Sequence, residues 1–116
     1  MIIYHNKRCS KSREALELLK ENNCEIEIRY YLKVPPSRKE IKDILTMLKC
    51  KPFDIVRKTE SIFLENYKDK KITDAKWIDI LSKYPILIER PIVIDGDKAV
   101  IGRPPKLVFD LIKRKK

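Results

Sequence analysis

Ile2-Ile3-Tyr4-His5-Asn6-Lys7-Arg8-Cys9-Ser10-Lys11-Ser12-Arg13 opens the chain, and its reading decides the fold class. Ile2-Ile3-Tyr4 is a short apolar run of the kind that forms a strand. The polar stretch from His5 to Ser10 reads as a loop. Beyond it Ala15, Leu16, Leu18 and Leu19 share one helical face, and Asn22-Asn23 stops the helix. Ile26, Ile28 and Tyr30 then alternate with Glu27 and Arg29, the period of a half-exposed strand. The first 32 residues therefore read β-α-β.

Working outward, Pro35-Pro36-Ser37 breaks the chain and starts a new pattern. Ser37 and Glu40 form a capping box, followed by Ile41, Ile44, Leu45 and Leu48 at helical spacing. Phe53, Ile55 and Val56, after Pro52, suggest a further short helix. Residues 60–71 fit no single pattern, although Phe63, Leu64 and Tyr67 are expected to pack on the helical layer. Thr73 predicts an N-cap for a helix turning Trp77, Ile78, Leu81 and Tyr84 inward, which Pro85 ends. A helical block without a strand is thus expected over about 34–86. Ile92-Val93-Ile94 and Val100-Ile101 flank Asp95-Gly96-Asp97-Lys98, a hairpin signal. Gly102-Arg103-Pro104-Pro105 leads into a closing helix whose apolar face is Leu107, Val108, Leu111 and Ile112. The order β-α-β, helical block, β-β-α describes one α/β domain over 1–116, with no repeat or linker.

A chain of 116 residues, 43% of them hydrophobic and in periodic blocks, can bury its own core, which argues against disorder. No run of about 18 apolar residues exists, so a transmembrane helix is not expected. Met1-Ile2-Ile3-Tyr4 meets Lys7 and Arg8 at once, which is unlike a secretory signal. Three cysteines do not make a disulfide framework, and the expected compartment is the reducing cytoplasm. Lys and Arg number 27 against 17 acidic residues, a net charge of +10, which favours an anionic partner: nucleic acid, an acidic surface or a small oxyanion. The lysines are scattered, and no zinc-finger or RNA-binding signature accompanies them. Lys113-Arg114-Lys115-Lys116 and the run from Lys68 to Lys71 read as solvated surface.

Cys9 falls in the loop between the first strand and the first helix. There, free backbone N–H groups and the helix dipole favour a thiolate. Arg13, one turn further on, could add positive charge near the sulfur or near a bound anion, and Ser10 and Ser12 can cap or supply hydroxyls. The alternative is a merely packed loop cysteine. His5 is the only histidine, so a multi-histidine metal site cannot be built. It could support the thiolate or only hydrogen-bond the loop. Cys24 and Cys50 read as small buried or surface residues rather than redox partners. Ser12 stands three residues after Cys9, so a dithiol thioredoxin mechanism with an adjacent resolving cysteine is excluded. Arg57 lies in the helical block, while Arg90 and Arg103 border the same hairpin. Guanidinium forks suit tetrahedral oxyanions better than lysines do, so these residues resemble a thiol nucleophile facing an anion cradle.

These residues, in order along nearly the whole chain, resemble the glutaredoxin-dependent arsenate reductases and their relatives on the thioredoxin-like fold. The resemblance is carried by Tyr4-His5-Asn6 with Cys9-x3-Arg13, Tyr31-Leu32 with Pro35-Pro36, and Arg57-Lys58. It continues through Tyr84-Pro85-Ile86-Leu87-Ile88-Glu89-Arg90-Pro91-Ile92-Val93 and Gly102-Arg103-Pro104. It implies a thioredoxin-like fold with a helical insertion, and Cys9 as the nucleophile with His5 and Arg13 nearby. Arg57, Arg90 and Arg103 would hold the oxyanion, and Pro91 would match the fold's cis-proline. The implied activity converts arsenate to arsenite, with glutathione as co-substrate, glutaredoxin as the resolving partner and no bound cofactor. A nucleic-acid partner is then not needed to explain the positive charge. Two rival functions share the resemblance. One is an Spx-type regulator that binds RNA polymerase, many of which carry a Cys-x-x-Cys switch that Ser12 denies here. The other is a monothiol, glutathione-dependent oxidoreductase of another substrate.

Overall fold

The computed structural model describes residues 1–112, so the expectation for the basic run Lys113 to Lys116 lies outside the described residues. In chain order the elements are β1 (Ile2–Tyr4), α1 (Ser10–Glu21), β2 (Glu27–Arg29), α2 (Arg38–Leu48), α3 (Ser61–Asn66), α4 (Asp74–Lys83), β3 (Ile92–Asp95), β4 (Lys98–Ile101) and α5 (Phe109–Ile112). Short 3₁₀ turns occupy Pro52–Ile55, Pro85–Leu87 and Pro105–Val108. The α/β order expected from the sequence is the order observed. The described residues form two compact units, Pro35–Glu89 and the segments that precede and follow it in the chain, Met1–Val34 and residues 90–112.

The first unit is built on a four-stranded sheet in the order β2-β1-β3-β4. β1 runs parallel to β2 and antiparallel to β3, and β3 is antiparallel to β4. The register places Ile28, Ile3, Val93 and Val100 side by side across the strands, in one row on one face. Ile3 and Val93 are fully buried, in a cluster with Ala15 and Leu19 of α1, Val108, and Leu111 and Ile112 of α5. Burying a side chain of this type stabilises the fold by about 1.5–3 kcal/mol. That row therefore fixes α1 against the sheet. The hairpin is tighter than its sequence suggested: Asp95 pairs with Lys98, leaving Gly96-Asp97 as a two-residue turn. Gly96 has φ +63, a conformation glycine adopts without a Cβ penalty.

The closing segment departs from expectation. Pro105 opens a 3₁₀ turn rather than a regular helix, and α5 begins only at Phe109. The tighter turn swings Leu107 outward, to 38% exposure, while Val108 is fully buried.

In the second unit the predicted capping box is present: Ser37 Oγ accepts from the Glu40 N–H, and Glu40 Oε1 accepts from the Ser37 N–H. Thr73 likewise caps α4 by accepting from the Lys76 N–H. Trp77 lies within 5.6–6.2 Å, ring to ring, of Phe53, Phe63 and Tyr67, an aromatic cluster in which Trp77 and Phe63 are buried and Phe53 is exposed. Residues 60–71, unassigned from pattern alone, form α3 and a following turn. There Phe63 is buried, but Leu64, expected to pack, is half exposed. On α4, Ile80 is buried beside Trp77, Ile78 and Leu81, while Tyr84, expected inward, sits half-buried at the C-cap. The block also contains one extended pairing: Val56 bridges Ile88, flanked by Arg57 N–H to Leu87 O at 2.6 Å and Glu89 N–H to Ile55 O at 2.8 Å. This clip carries the unit to Glu89, beyond residue 86, where the helical pattern ends.

Candidate active site

The turn from β1 into α1 is held by short polar contacts. Asn6 O accepts the Cys9 N–H at 3.0 Å, and Asn6 Oδ1 accepts the Arg8 N–H at 3.0 Å, an arrangement that asparagine favours in turns. The Asn6 N–H donates to Ser12 Oγ at 3.1 Å, and His5 Nδ1 lies 2.6 Å from the same oxygen. Ser12 is fully buried, and His5 and Asn6 nearly so. Arg13 is exposed, and its Nη1 donates to Lys7 O at 2.9 Å, clamping the outside of the loop.

Cys9 is the N-cap of α1 and is half-buried. Its thiol closes no cap hydrogen bond of regular geometry, so the helix acts on it mainly through the field of its N–H groups. Burial pushes the thiol pKa up, but four effects together bring it below the ordinary value. They are the Ser12 N–H, the Arg90 side chain as donor, the Arg90 charge and the Lys11 N–H. Arg90 is itself buried, and its carbonyl accepts from Arg103 Nη1 at 3.1 Å. The same Nη1 lies 3.7 Å from Cys9 Sγ. Arg90 and Arg103, which flank the hairpin in sequence, thus converge on the sulfur.

The expected residues divide as follows. Cys9, Arg90 and Arg103 form one cluster. His5 is joined to it through Ser12, whose N–H faces the sulfur. Desolvation lowers the His5 pKa, and repulsion from Lys20 and Arg13 lowers it further. A neutral imidazole adds no charge to the thiolate; it holds Ser12. Arg13 holds the loop. Arg57 belongs to the helical unit, where its Nε donates to Glu60 Oε1 at 3.0 Å.

Sequence reasoning singled out neither Ser12 as the buried hub of the loop nor Gly102 as a spacer. A serine three residues into a helix carries no signal for the former role. Both Arg90–Pro91 and Arg103–Pro104 are cis; the resemblance implied the first, and nothing anticipated the second. The Gly102 N–H donates to Pro91 O at 2.8 Å. A Cβ at Gly102 would meet Pro91 Cγ at 3.0 Å, Val108 Cγ1 at 3.3 Å and Ala15 Cβ at 3.5 Å. Gly102→Ala is therefore expected to destabilise the protein by about 1–3 kcal/mol through overpacking beneath the site. A melting temperature equal to wild type would show that Pro91 and Val108 give way freely.

Fold and site together define a single-thiol member of the thioredoxin-like fold, with arginines gathered at its cysteine. The chain belongs to the ArsC family, whose pattern matches residues 4–110. It is 41% identical over 112 residues to the uncharacterized protein YfgD of Escherichia coli strain K12, covering 95% of this chain and 94% of that one. It is 38% identical over 114 residues to an arsenate reductase of Haemophilus influenzae, covering 97% of this chain and 98% of the relative. The solved arsenate reductase of Vibrio cholerae superposes with a TM-score of 0.89 at 36% identity, over 94% of each chain. Among the described residues, no helix is long and apolar enough to cross a membrane.

Proposed function

We propose that this protein is an arsenate reductase in which Cys9 is the nucleophile. The observation that carries the reading is the Cys9 thiol at the N-terminus of α1, its pKa lowered by backbone N–H groups and Arg90, with Arg103 3.7 Å away. The similarity to relatives named as arsenate reductases supports the choice of substrate.

The thiolate attacks arsenic(V), the S–As bond forms, and one arsenate oxygen leaves as water after taking up a proton. Arg90 and Arg103 hold the charge of the oxyanion as it approaches an anionic sulfur. The resemblance also gives the oxyanion to Arg57, whose Nε donates to Glu60 Oε1 and whose two terminal nitrogens carry four further N–H donors. A first external thiol, glutathione, replaces a second oxygen on arsenic, again releasing water. A second thiol, that of glutaredoxin, attacks the glutathione sulfur; the S–S bond forms, the bond from that sulfur to arsenic breaks, and its electron pair stays on arsenic, which becomes arsenic(III) on Cys9. Water then releases arsenite and regenerates the thiol. The net reaction consumes arsenate and two thiols and gives arsenite, one disulfide and one water. No bound cofactor is required, since thiols supply both electrons. Dependence on a reduced thiol pool assigns the protein to the cytoplasm.

The test couples the protein to glutathione, glutaredoxin, glutathione reductase and NADPH. Oxidation of NADPH that starts on addition of arsenate is the expected result. Oxidation at the same rate without arsenate would overturn the substrate and favour a monothiol oxidoreductase of another substrate.

A further inference from the structure

We propose that Asn6 is a positioning residue for the Cys9 thiol and that its side chain must be an uncharged acceptor; this rests on Cys9 being the nucleophile. Three contacts leave this one nearly buried residue. Its carbonyl accepts the Cys9 N–H at 3.0 Å, its Oδ1 accepts the Arg8 N–H at 3.0 Å, and its own N–H donates to Ser12 Oγ at 3.1 Å. The chain is therefore gripped before the sulfur, at it, and within one turn beyond it. Ser12 in turn presents its N–H to the sulfur. On its other side Asn6 is tied to the sheet. The His5 N–H donates to Arg29 O at 2.9 Å, continuing the pairing of β1 with β2.

The grip matters because a helix N-terminus stabilises a thiolate only within the field of its first turn. A displacement of about 1 Å at a reacting group can cost about 10²-fold in rate. Asn6 is the link through which the sheet fixes that distance.

Geometry alone does not select asparagine, since aspartate makes the same turn and its oxygen would accept the same N–H. Charge does. A carboxylate in that place would oppose the thiolate. Arg90 and Arg103 face the sulfur from the two sides of the hairpin. Lys7 and Arg8 on the loop and Lys11 and Arg13 on α1 are also cations, and α1 has no acidic residue in its first turn. His5, bonded to Ser12 and lowered in pKa, stays neutral. The Asn6 amide holds the turn without placing an anion among them.

Two variants, in a Cys24→Ser/Cys50→Ser background, separate grip from charge. Asn6→Asp keeps the acceptor, so amide exchange at Arg8 and Cys9, read by NMR, should stay within about twofold of wild type. Its carboxylate should move the midpoint of Cys9 alkylation up by about one pH unit. Arsenate turnover should then be about tenfold lower below both midpoints and within about twofold of wild type above them. Asn6→Ala adds no charge but removes the acceptor. Exchange at Arg8 should rise at least about tenfold. Its kcat should fall about tenfold at every pH, with arsenate KM within about twofold because the arginines are untouched. Asn23→Asp is the charge control, at an exposed position with φ 59 that aspartate also tolerates. It lies beyond the far end of α1, whose 12 residues span about 18 Å, more than the screening length of about 8 Å. It should move neither midpoint nor exchange. Alkylation and amide exchange need no arsenate, so their failure is distinct from a failure of the reductase reading. An Asn6→Asp midpoint equal to wild type, an equal shift in Asn23→Asp, or wild-type exchange or kcat in Asn6→Ala would each overturn the proposal.

Discussion

Cys9→Ser is expected to lower arsenate-dependent turnover by at least about 10³-fold while leaving the protein folded. A serine hydroxyl remains protonated under the field that ionises a thiol, so the first bond to arsenic does not form. The exchange of sulfur for oxygen is nearly isosteric. The contacts that hold the loop, through Asn6, His5 and Ser12, do not involve the sulfur. Near-native melting with lost turnover is thus the predicted pair of results, and retained turnover in a folded variant would remove Cys9 from the mechanism. The pH profile gives a second readout. Because the Cys9 pKa is lowered in the fold, alkylation should reach its plateau below the pH typical of free cysteine. The same shift is a stability contribution present above the unfolded thiol pKa and lost as pH falls through the folded one.

The elements themselves were legible because each had a local physical cause. Alternation revealed β2, the Ser37–Glu40 box started α2, Thr73 capped α4, and Gly96 marked the hairpin. Tyr84 and Leu107 are less buried than their spacing implies because periodicity assigns a face but not what lies opposite it, and a helix end or a 3₁₀ turn rotates that face away; Leu64 falls in a stretch with no single pattern, where nothing local separates it from the buried Phe63. The site divided along similar lines. Cys9 was visible because a strand–loop–helix puts a side chain at a helix N-terminus whatever the tertiary detail. Convergence of Arg90 and Arg103 followed from their flanking one hairpin. The hub role of Ser12 depends on burial and on two partners six and seven residues away, and the role of Gly102 depends on side chains from three separate segments, Pro91, Val108 and Ala15. Neither leaves a trace in local sequence.

Replacing the two arginines should separate sulfur activation from anion binding. Each guanidinium is positioned for charge-assisted hydrogen bonds, so Arg90→Ala and Arg103→Ala should each weaken oxyanion binding by about 1–3 kcal/mol, roughly 5- to 150-fold. Their effects on the thiol should differ. Arg90 lowers the Cys9 pKa both as a donor and as a charge, so Arg90→Ala should move the alkylation profile to higher pH. Arg103 lies 3.7 Å from the sulfur, and the same nitrogen already donates to Arg90 O at 3.1 Å, so it acts weakly on the thiol. Arg103→Ala should therefore lose arsenate affinity with the profile nearly unmoved. Because Arg90 is buried, truncation also leaves a gap, and Arg90→Lys serves as the companion variant. Lysine keeps the charge but not the planar fork, so it should restore much of the thiol reactivity and little of the oxyanion affinity. Measuring arsenate KM beside the pH dependence of alkylation in all three variants decides the matter. Identical profile shifts in Arg90→Ala and Arg103→Ala would show that the arginines act as one undivided field, and unchanged arsenate affinity in both would place the anion cradle elsewhere.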